Sequence, residues 1–245
     1  MSKKIKIILI FLICIRNIYA QDTETSNVQD VQVINQGIQI TSMEAEFLFN
    51  ADYNRTFDFV GGVSVAGRIE FNNRLDVKEG IYVGWTEDVT FIKLFNNSSY
   101  RILANLPLEV KFAWVYNGIP EYETHAHAIA PIISWNARYY GISVGFGVRF
   151  TSFFNEGPLI ELILPLGIYV NFINDEKICV GMSMANYTDF QLDSFIAFAL
   201  AVKASIRING HFSIINELEF RQSGADGLTA AFHGIVWKGG AKLTW

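Results

Sequence analysis

Beyond residue 20 the sequence offers no run of about 20 uncharged apolar residues, the length a membrane-crossing helix needs. That lack excludes a helical membrane bundle. Charge is also scarce: Asp, Glu, Lys and Arg make up 18% of the chain, against about a quarter in ordinary soluble domains. A surface that faces water all round is therefore excluded. Disorder needs low hydrophobicity, and here 51% of residues are hydrophobic and 14% aromatic. Basic residues are outnumbered 19 to 24, for a net charge of −5. Phosphate contacts need an excess of Lys and Arg, so nucleic acid is excluded as a partner. Neither glycine pair, Gly61-Gly62 or Gly239-Gly240, is followed by Gly-Lys-Ser/Thr. Both read as bulges or tight sheet curvature rather than as phosphate loops.

Lys3, Lys4 and Lys6 open the chain, Ile5 and Ile7–Ile15 form an apolar core, and Ala20 places a small residue before Gln21. This is the layout of a secretory signal peptide over residues 1–20, cleaved near Ala20. Lipidation at Cys14 is disfavoured, because Leu12-Ile13 lacks the small residue expected before a lipidated cysteine. Every acid lies beyond Ala20, so the mature chain is more acidic than the whole. Cleavage leaves Cys179 as the one cysteine, so no internal disulfide forms. The fold must be held by pairing and packing. Residues 21–37 are rich in Gln, Asp, Thr, Ser and Asn and read as a polar tail. From Ile38 the texture is uniform to Trp245, which predicts one domain over residues 38–245.

The dominant signal in that domain is period two. Tyr100, Ile102, Ala104, Leu106, Leu108, Val110, Phe112, Trp114 and Tyr116 alternate with Arg101, Asn105, Glu109 and Lys111. Similar runs go from Ile160 to Phe172 and from Ile196 to Ile208. Successive strand side chains point to opposite faces, so each run has one apolar face and one mixed face. A helix would set Glu109 and Lys111 among the apolar neighbours and would carry Pro107 or Pro165 inside it.

Short Asn-centred breaks fall at Asn72-Asn73, Asn96-Asn97, Asn136, Asn174-Asp175 and Asn209-Gly210. Between them lie other, mostly longer breaks, at 54–56, 86–88, 117–127, 155–157, 186–191 and 222–227. Short turns on one rim alternating with loops on the other is the rhythm of an antiparallel up-and-down β-barrel. The expected strands are 38–53, 57–71, 74–85, 89–95, 100–116, 128–135, 139–153, 158–173, 177–185, 192–208, 211–221 and 228–245. That makes an all-β transmembrane barrel of twelve strands, with ten or eight as the alternatives.

Aromatic residues fall near the strand ends. Tyr100, Trp135, Tyr139 and Trp245, with Phe95, lie by the short turns, and Tyr53, Trp85, Trp114 and Tyr116 lie by the loops. Rings with one wet end settle at the two bilayer interfaces, giving two girdles around an apolar band. Lipid cannot hydrogen-bond a bare backbone, so such a sheet must close on itself.

The chain ends Ala241-Lys242-Leu243-Thr244-Trp245, with Trp237, Ala241, Leu243 and the terminal Trp245 on one strand face. With the signal peptide and the strand rhythm, this end resembles bacterial outer-membrane β-barrel proteins, whose last strand ends in an aromatic residue read by the assembly machinery. The resemblance covers essentially the whole chain and is one of architecture. It implies export to the outer membrane, contact with outer-membrane lipid, and engagement of the assembly machinery through the C-terminal strand.

Charges on the lipid face at mid-depth cost about 2–4 kcal/mol, so Glu109, Lys111, Arg149, Glu161, Lys203, Arg207, Glu217, Glu219 and Arg221 are expected to line the lumen, with Lys238 and Lys242. Two readings follow: a wet channel whose charges select solutes, or an interior closed by salt bridges. His125 and His127, with Glu121 and Glu123 nearby, sit in the longest expected loop and read as solvated rather than metal-binding. His211 and Ser213 share a face at spacing two with Glu217 after them, but lie by a short turn, away from the loop rim. No catalytic set, metal or cofactor is expected. The expected function is a passive pore or small-solute transporter. The alternative is a closed barrel acting as a structural or surface-interaction protein through loops 117–127 and 186–191; less favoured is an outer-membrane hydrolase.

Overall fold

In the computed structural model the described residues are 39–54, 58–103, 106–152, 157–192, 198–223 and 231–245. The expected signal peptide and polar tail lie outside them. The strands are β1 (Ile40–Asn54), β2 (Asp58–Phe71), β3 (Leu75–Trp85), β4 (Thr90–Arg101), β5 (Leu108–Ile119), β6 (Thr124–Asn136), β7 (Tyr140–Gly145) and β8 (Gly147–Ser152). They continue as β9 (Leu159–Ile163), β10 (Leu166–Asn174), β11 (Ile178–Ala185), β12 (Tyr187–Thr188), β13 (Gln191–Leu192), β14 (Ala199–Arg207), β15 (Phe212–Ser223) and β16 (Ala231–Thr244). No helix among the described residues is long and apolar enough to cross a membrane, which says nothing against crossing by strands.

Neighbouring strands pair antiparallel in chain order, and β16 returns to β1 in register from Glu44↔Thr244 to Asn54↔Gly234. β7 and β8 are two halves of one stave interrupted at Phe146, and β9 and β10 are halves of another interrupted at Leu164-Pro165. The result is a closed barrel of 12 staves. Closure leaves no bare edge, which is what lets a sheet with an apolar outer face exist without aggregating. Alternation then sorts the faces. Phe47, Phe49, Ile142, Val144, Ile160, Leu162, Ile168 and Phe172 are exposed on the outside, whereas Ser64, Ala113, Ala130 and Ser143 are buried inside.

Local chemistry sets the turns. Asn72 and Asn73 both take positive φ, at 51° and 54°, as a tight hairpin requires and as Asn tolerates. At the turn after β10, Asp175 accepts backbone N–H bonds from Ile178 at 2.7 Å and Lys177 at 2.9 Å. Those bonds hold its carboxyl below the usual carboxylate range.

Four expectations need correction. The break expected at Asn96-Asn97 is strand: β4 runs unbroken to Arg101, and the turn lies after it, before Leu108. The apolar alternation from Tyr100 to Tyr116 therefore joins the end of one strand to the next across a turn. Phe95, expected at the outer girdle, is 2% exposed and faces inward on the same phase as Asn97. The loop expected over 117–127 is mostly ladder, since β5 and β6 pair from Leu108↔Trp135 to Ile119↔Thr124. Only the short turn around Pro120–Tyr122 stands above it. The strand expected from 192 begins at Ala199, and Gln191–Leu192 pairs with Tyr187–Thr188 instead. One outward acid was also missed. Glu79 is exposed on the outer phase of β3 and accepts a bond from Asn96 Nδ2 at 2.6 Å.

Inside, the Phe95 ring lies against Gly80, where a Cβ would strike that ring and stand 2.8 Å from the Val65 carbonyl oxygen. Backbone cannot step aside as a flexible side chain can. Gly80→Ala is thus expected to lower stability by about 1–3 kcal/mol, read as a fall in the urea midpoint of the detergent-solubilised barrel.

Candidate functional site

The most distinctive feature of the interior begins at a proline. Pro165 cannot donate to the ladder, and it interrupts the stave between β9 and β10. Asn186, directly after β11, repairs the gap. Its Nδ2 donates to the Leu164 carbonyl at 2.7 Å, its Oδ1 accepts the Leu166 N–H at 2.7 Å, and its own N–H donates to the Leu166 carbonyl at 3.1 Å. The side chain that closes the wall also fixes where the chain leaves it. From there the chain turns into the lumen as a small hairpin, β12 and β13, in register Tyr187↔Leu192 and Thr188↔Gln191.

Apolar packing holds one flank of this hairpin. Leu192, 1% exposed, sits in a cluster with Ala66, Phe95, Ala113, Val115, Ala128, Ala130, Ile132 and Ile163, and Tyr187 and Phe190 pack against it. Phe190 meets Phe95 edge-on at 4.6 Å between centroids. Tyr187 donates its hydroxyl to Ser143 Oγ at 2.6 Å and lies under the Lys111 ammonium at 5.5 Å. The tip is held by charge. Asp189 accepts from Lys78 Nζ at 2.7 Å and from Asn97 Nδ2 at 2.7 Å, with Lys111 Nζ at 3.9 Å. Hydrogen bonds between ionised groups in a low-dielectric interior are the strong ones. The loop expected at 186–191 on the surface is therefore an internal element, and the correction has a physical cause: its carboxylate and rings find partners on the wall.

The hairpin divides the described interior. On the short-turn side lies a cavity of about 330 Å³, lined among others by Glu44, Glu46, Arg68, Lys78, Asn97 and Asp189. On the loop side a smaller cavity of about 30 Å³ lies among Thr188, Phe190 and Gln191 of the hairpin and Asp52, Tyr82, Arg221 and Lys238 of the wall. Around the wall, acids and bases pair within and between strands. Lys238 donates to Glu217 at 2.6 Å and to Glu219 at 2.8 Å, Arg221 donates to Glu219 at 2.7 Å, and Arg221 also pairs with Asp52 at 3.4 Å. Lys242 and Arg68 reach Glu44 at 3.3 and 3.5 Å, and Arg68 also pairs with Asp76.

Of the residues singled out in the sequence, Glu109, Lys111 and Lys203 border the larger cavity and Arg221 the smaller. Arg149 pairs with Glu161 at 2.7 Å on the opposite wall. Glu217 and Glu219 meet Lys238, and Arg207 is exposed at the end of β14. Tyr53, Trp85, Tyr100, Tyr139 and Trp245 are exposed near strand ends, whereas Trp114, Tyr116 and Trp135 are half-buried. Tyr116 shares a hydrogen bond of 2.8 Å with His125 Nδ1 and packs on His127 at 5.0 Å. The two histidines thus belong to an aromatic cluster on the outer face rather than to a solvated loop. No group of three or more His, Cys, Asp or Glu suited to a metal occurs among the described residues. His211 lies exposed in the turn with its Nδ1 2.9 Å from the Thr244 carbonyl oxygen, while Ser213 is buried.

Lys78 was not picked out from the sequence, Asn97 was expected in a turn and Asp189 in a surface loop. Lys78 and Asp189 are 111 residues apart, and only closure of the sheet brings them together.

The barrel is the fold of outer-membrane β-barrels. It superposes on the NanC porin with a TM-score of 0.54, over 80% of this chain and 98% of that one, at 8% identity. A KdgM porin solved in complex with disordered oligogalacturonate gives 0.53, over 82% and 99%, at 8% identity. The translocator domain of the autotransporter NalP from Neisseria meningitidis gives 0.53, over 86% and 90%, at 10% identity. No family model and no curated protein matches the sequence. At such identities the likeness is one of fold.

Proposed function

We propose that this chain is an exported outer-membrane barrel whose lumen passes small hydrophilic solutes, narrowed half-way by the hairpin of β12 and β13. The observation that carries the reading is a polar, charge-lined cavity of about 330 Å³ inside a wall whose outer face is apolar. An interior meant only to be filled has no need of such a space. The two porins of similar fold agree with a channel. In this reading the aromatics near the strand ends sit at the two bilayer interfaces, the short turns face the periplasm, and the C-terminal strand engages the assembly machinery. The signal peptide is removed near Ala20. The charges lining the cavity set which solutes pass.

The narrow space of about 30 Å³ beside the hairpin favours one second reading, a barrel shut at rest. That volume is of the order of a single water molecule. Planar-bilayer recording of the purified protein separates the two. Small discrete conductance steps are the expected result. Silent bilayers from correctly folded, heat-modifiable protein would favour the shut barrel.

A further inference from the structure

We propose that Lys78, Lys111 and Asn97 form a binding site for the carboxylate of a small hydroxy acid, and that Asp189 occupies this site as the chain's own stand-in for that ligand. The inference deepens the channel reading by naming the solute class.

Three observations carry it. First, the Asp189 carboxylate is received as a free carboxylate would be. One oxygen takes Lys78 Nζ at 2.7 Å, and the other takes Asn97 Nδ2 at 2.7 Å with Lys111 Nζ at 3.9 Å. Two cations converge on one acid, so the wall side of the contact is built for an anion. Second, the receptor groups belong to the barrel and the acid to the hairpin. Lys78, Asn97 and Lys111 stand on the adjacent strands β3, β4 and β5, whereas Asp189 is at the hairpin tip. The receptor therefore persists when the acid moves away. Third, Asn97 is 6% exposed, and its Oδ1 has no hydrogen-bond partner. A carboxylate only accepts, so the amide must turn its NH₂ toward Asp189, leaving a buried acceptor beside the anion position. Leaving such a group unpaired costs about 1–3 kcal/mol. A hydroxyl close to the incoming carboxylate would donate to it, which Asp189 itself cannot do.

Space for the rest of such a molecule adjoins the site. Lys78, Asn97, Lys111 and Asp189 all border the cavity of about 330 Å³, and Ser99, Ser134 and Asn136 add neutral hydrogen-bonding groups to its lining. A volume of this order is within the range of small-ligand pockets, roughly 300–1,000 Å³. The exchange is a substitution of one carboxylate for another, so the charge balance of the site is unchanged as Asp189 leaves.

Calorimetric titration of the full-length protein in detergent tests this. The probes are sodium gluconate, which has both groups, sodium acetate, which lacks the hydroxyl, and glucose, which lacks the carboxylate. Gluconate is expected to bind about tenfold more tightly than acetate, the worth of one recovered hydrogen bond, and glucose to give no heat. Asn97→Ala should erase the difference between gluconate and acetate. Lys78→Met should abolish both. Asp189→Asn, which weakens the internal competitor, should tighten gluconate by about tenfold or more. Glu44→Gln is the control for charge alone, since Glu44 lines the same cavity but pairs with Arg68 and Lys242. Equal tightening by Glu44→Gln and Asp189→Asn would overturn the proposal, as would heat from glucose matching that from gluconate. Gluconate heat with silent bilayers would remove the channel and leave the site. A conducting barrel without gluconate heat, in wild type and Asp189→Asn alike, would remove the site and leave the channel.

Discussion

Replacing Lys238 by methionine is expected to lower the stability of the barrel by about 3–5 kcal/mol. Lys238 donates to Glu217 at 2.6 Å and to Glu219 at 2.8 Å, and Glu219 is 1% exposed. In the variant two carboxylates two residues apart on one strand face keep only their outer partners. Glu217 retains Lys203 at 3.8 Å, and Glu219 retains Arg221, which Asp52 also shares. One ionic group is then left in excess in a place that water reaches poorly, and that is far costlier than losing a pair as a unit. Neutralising the excess should return stability: Glu219→Gln, added to Lys238→Met, is expected to recover more than 1 kcal/mol through coupling between the contacting sites. The comparison is Arg101→Met. Its side chain is 38% exposed and its guanidinium reaches Glu109 only at 3.4 Å. A pair so open to solvent contributes about 0–1 kcal/mol. Urea unfolding in detergent, followed by the shift between folded and unfolded gel mobility, measures all of them. Equal losses for Lys238→Met and Arg101→Met would show that the interior is as wet as the rim.

The class of fold was legible because a barrel wall has one strong rule, alternation, and each strand obeys it independently. Ile168, Val170 and Phe172 needed no knowledge of their neighbours to be placed on one outward phase, and Asn72-Asn73 announced its turn by backbone tolerance alone. Reading stopped where a residue's meaning depends on another strand. Asn96-Asn97 looks like a turn because Asn is common in turns. In the closed sheet Asn97 is a lumenal amide bound to Asp189, and Asn96 is an outward partner of Glu79. Misplacing that break also moved Phe95 from the interior to the girdle. The hairpin was hidden for the same reason. Residues 186–191 have the polar composition of a solvated loop, and nothing local tells Asp189 that Lys78 and Lys111 wait across the lumen. A sequence cue did exist in Pro165, a residue without an N–H on the buried inward phase of a stave whose apolar alternation runs past it from Ile160 to Phe172. A prolyl break in a barrel stave has to be satisfied by something, and the next polar residue reaching that wall is Asn186.

Asn186→Ala is accordingly expected to loosen the hairpin and to enlarge the conductance. Asn186 is 2% exposed, and alanine leaves the Leu164 carbonyl and the Leu166 N–H without their side-chain partner. Each orphaned backbone group costs about 1–3 kcal/mol unless water takes its place. Water can enter only if the wall opens beside Pro165, which is where the hairpin is rooted. The tip remains tied by Asp189 and the flank by Leu192 and Phe190, so the hairpin is freed at its base rather than expelled. Asn186→Asp sharpens the test. Its carboxylate still accepts from Leu166, but it sets an unpaired buried charge against the Leu164 carbonyl oxygen, so its effect should exceed that of alanine. The readouts are single-channel step size, expected to rise in the order wild type, Asn186→Ala, Asn186→Asp, and protease cleavage within 187–192, expected to quicken in the same order. A step size that stays constant while cleavage quickens would mean that the hairpin moves without being the constriction, and that the narrow point of the lumen lies in the ring of Asp52, Arg221 and Lys238.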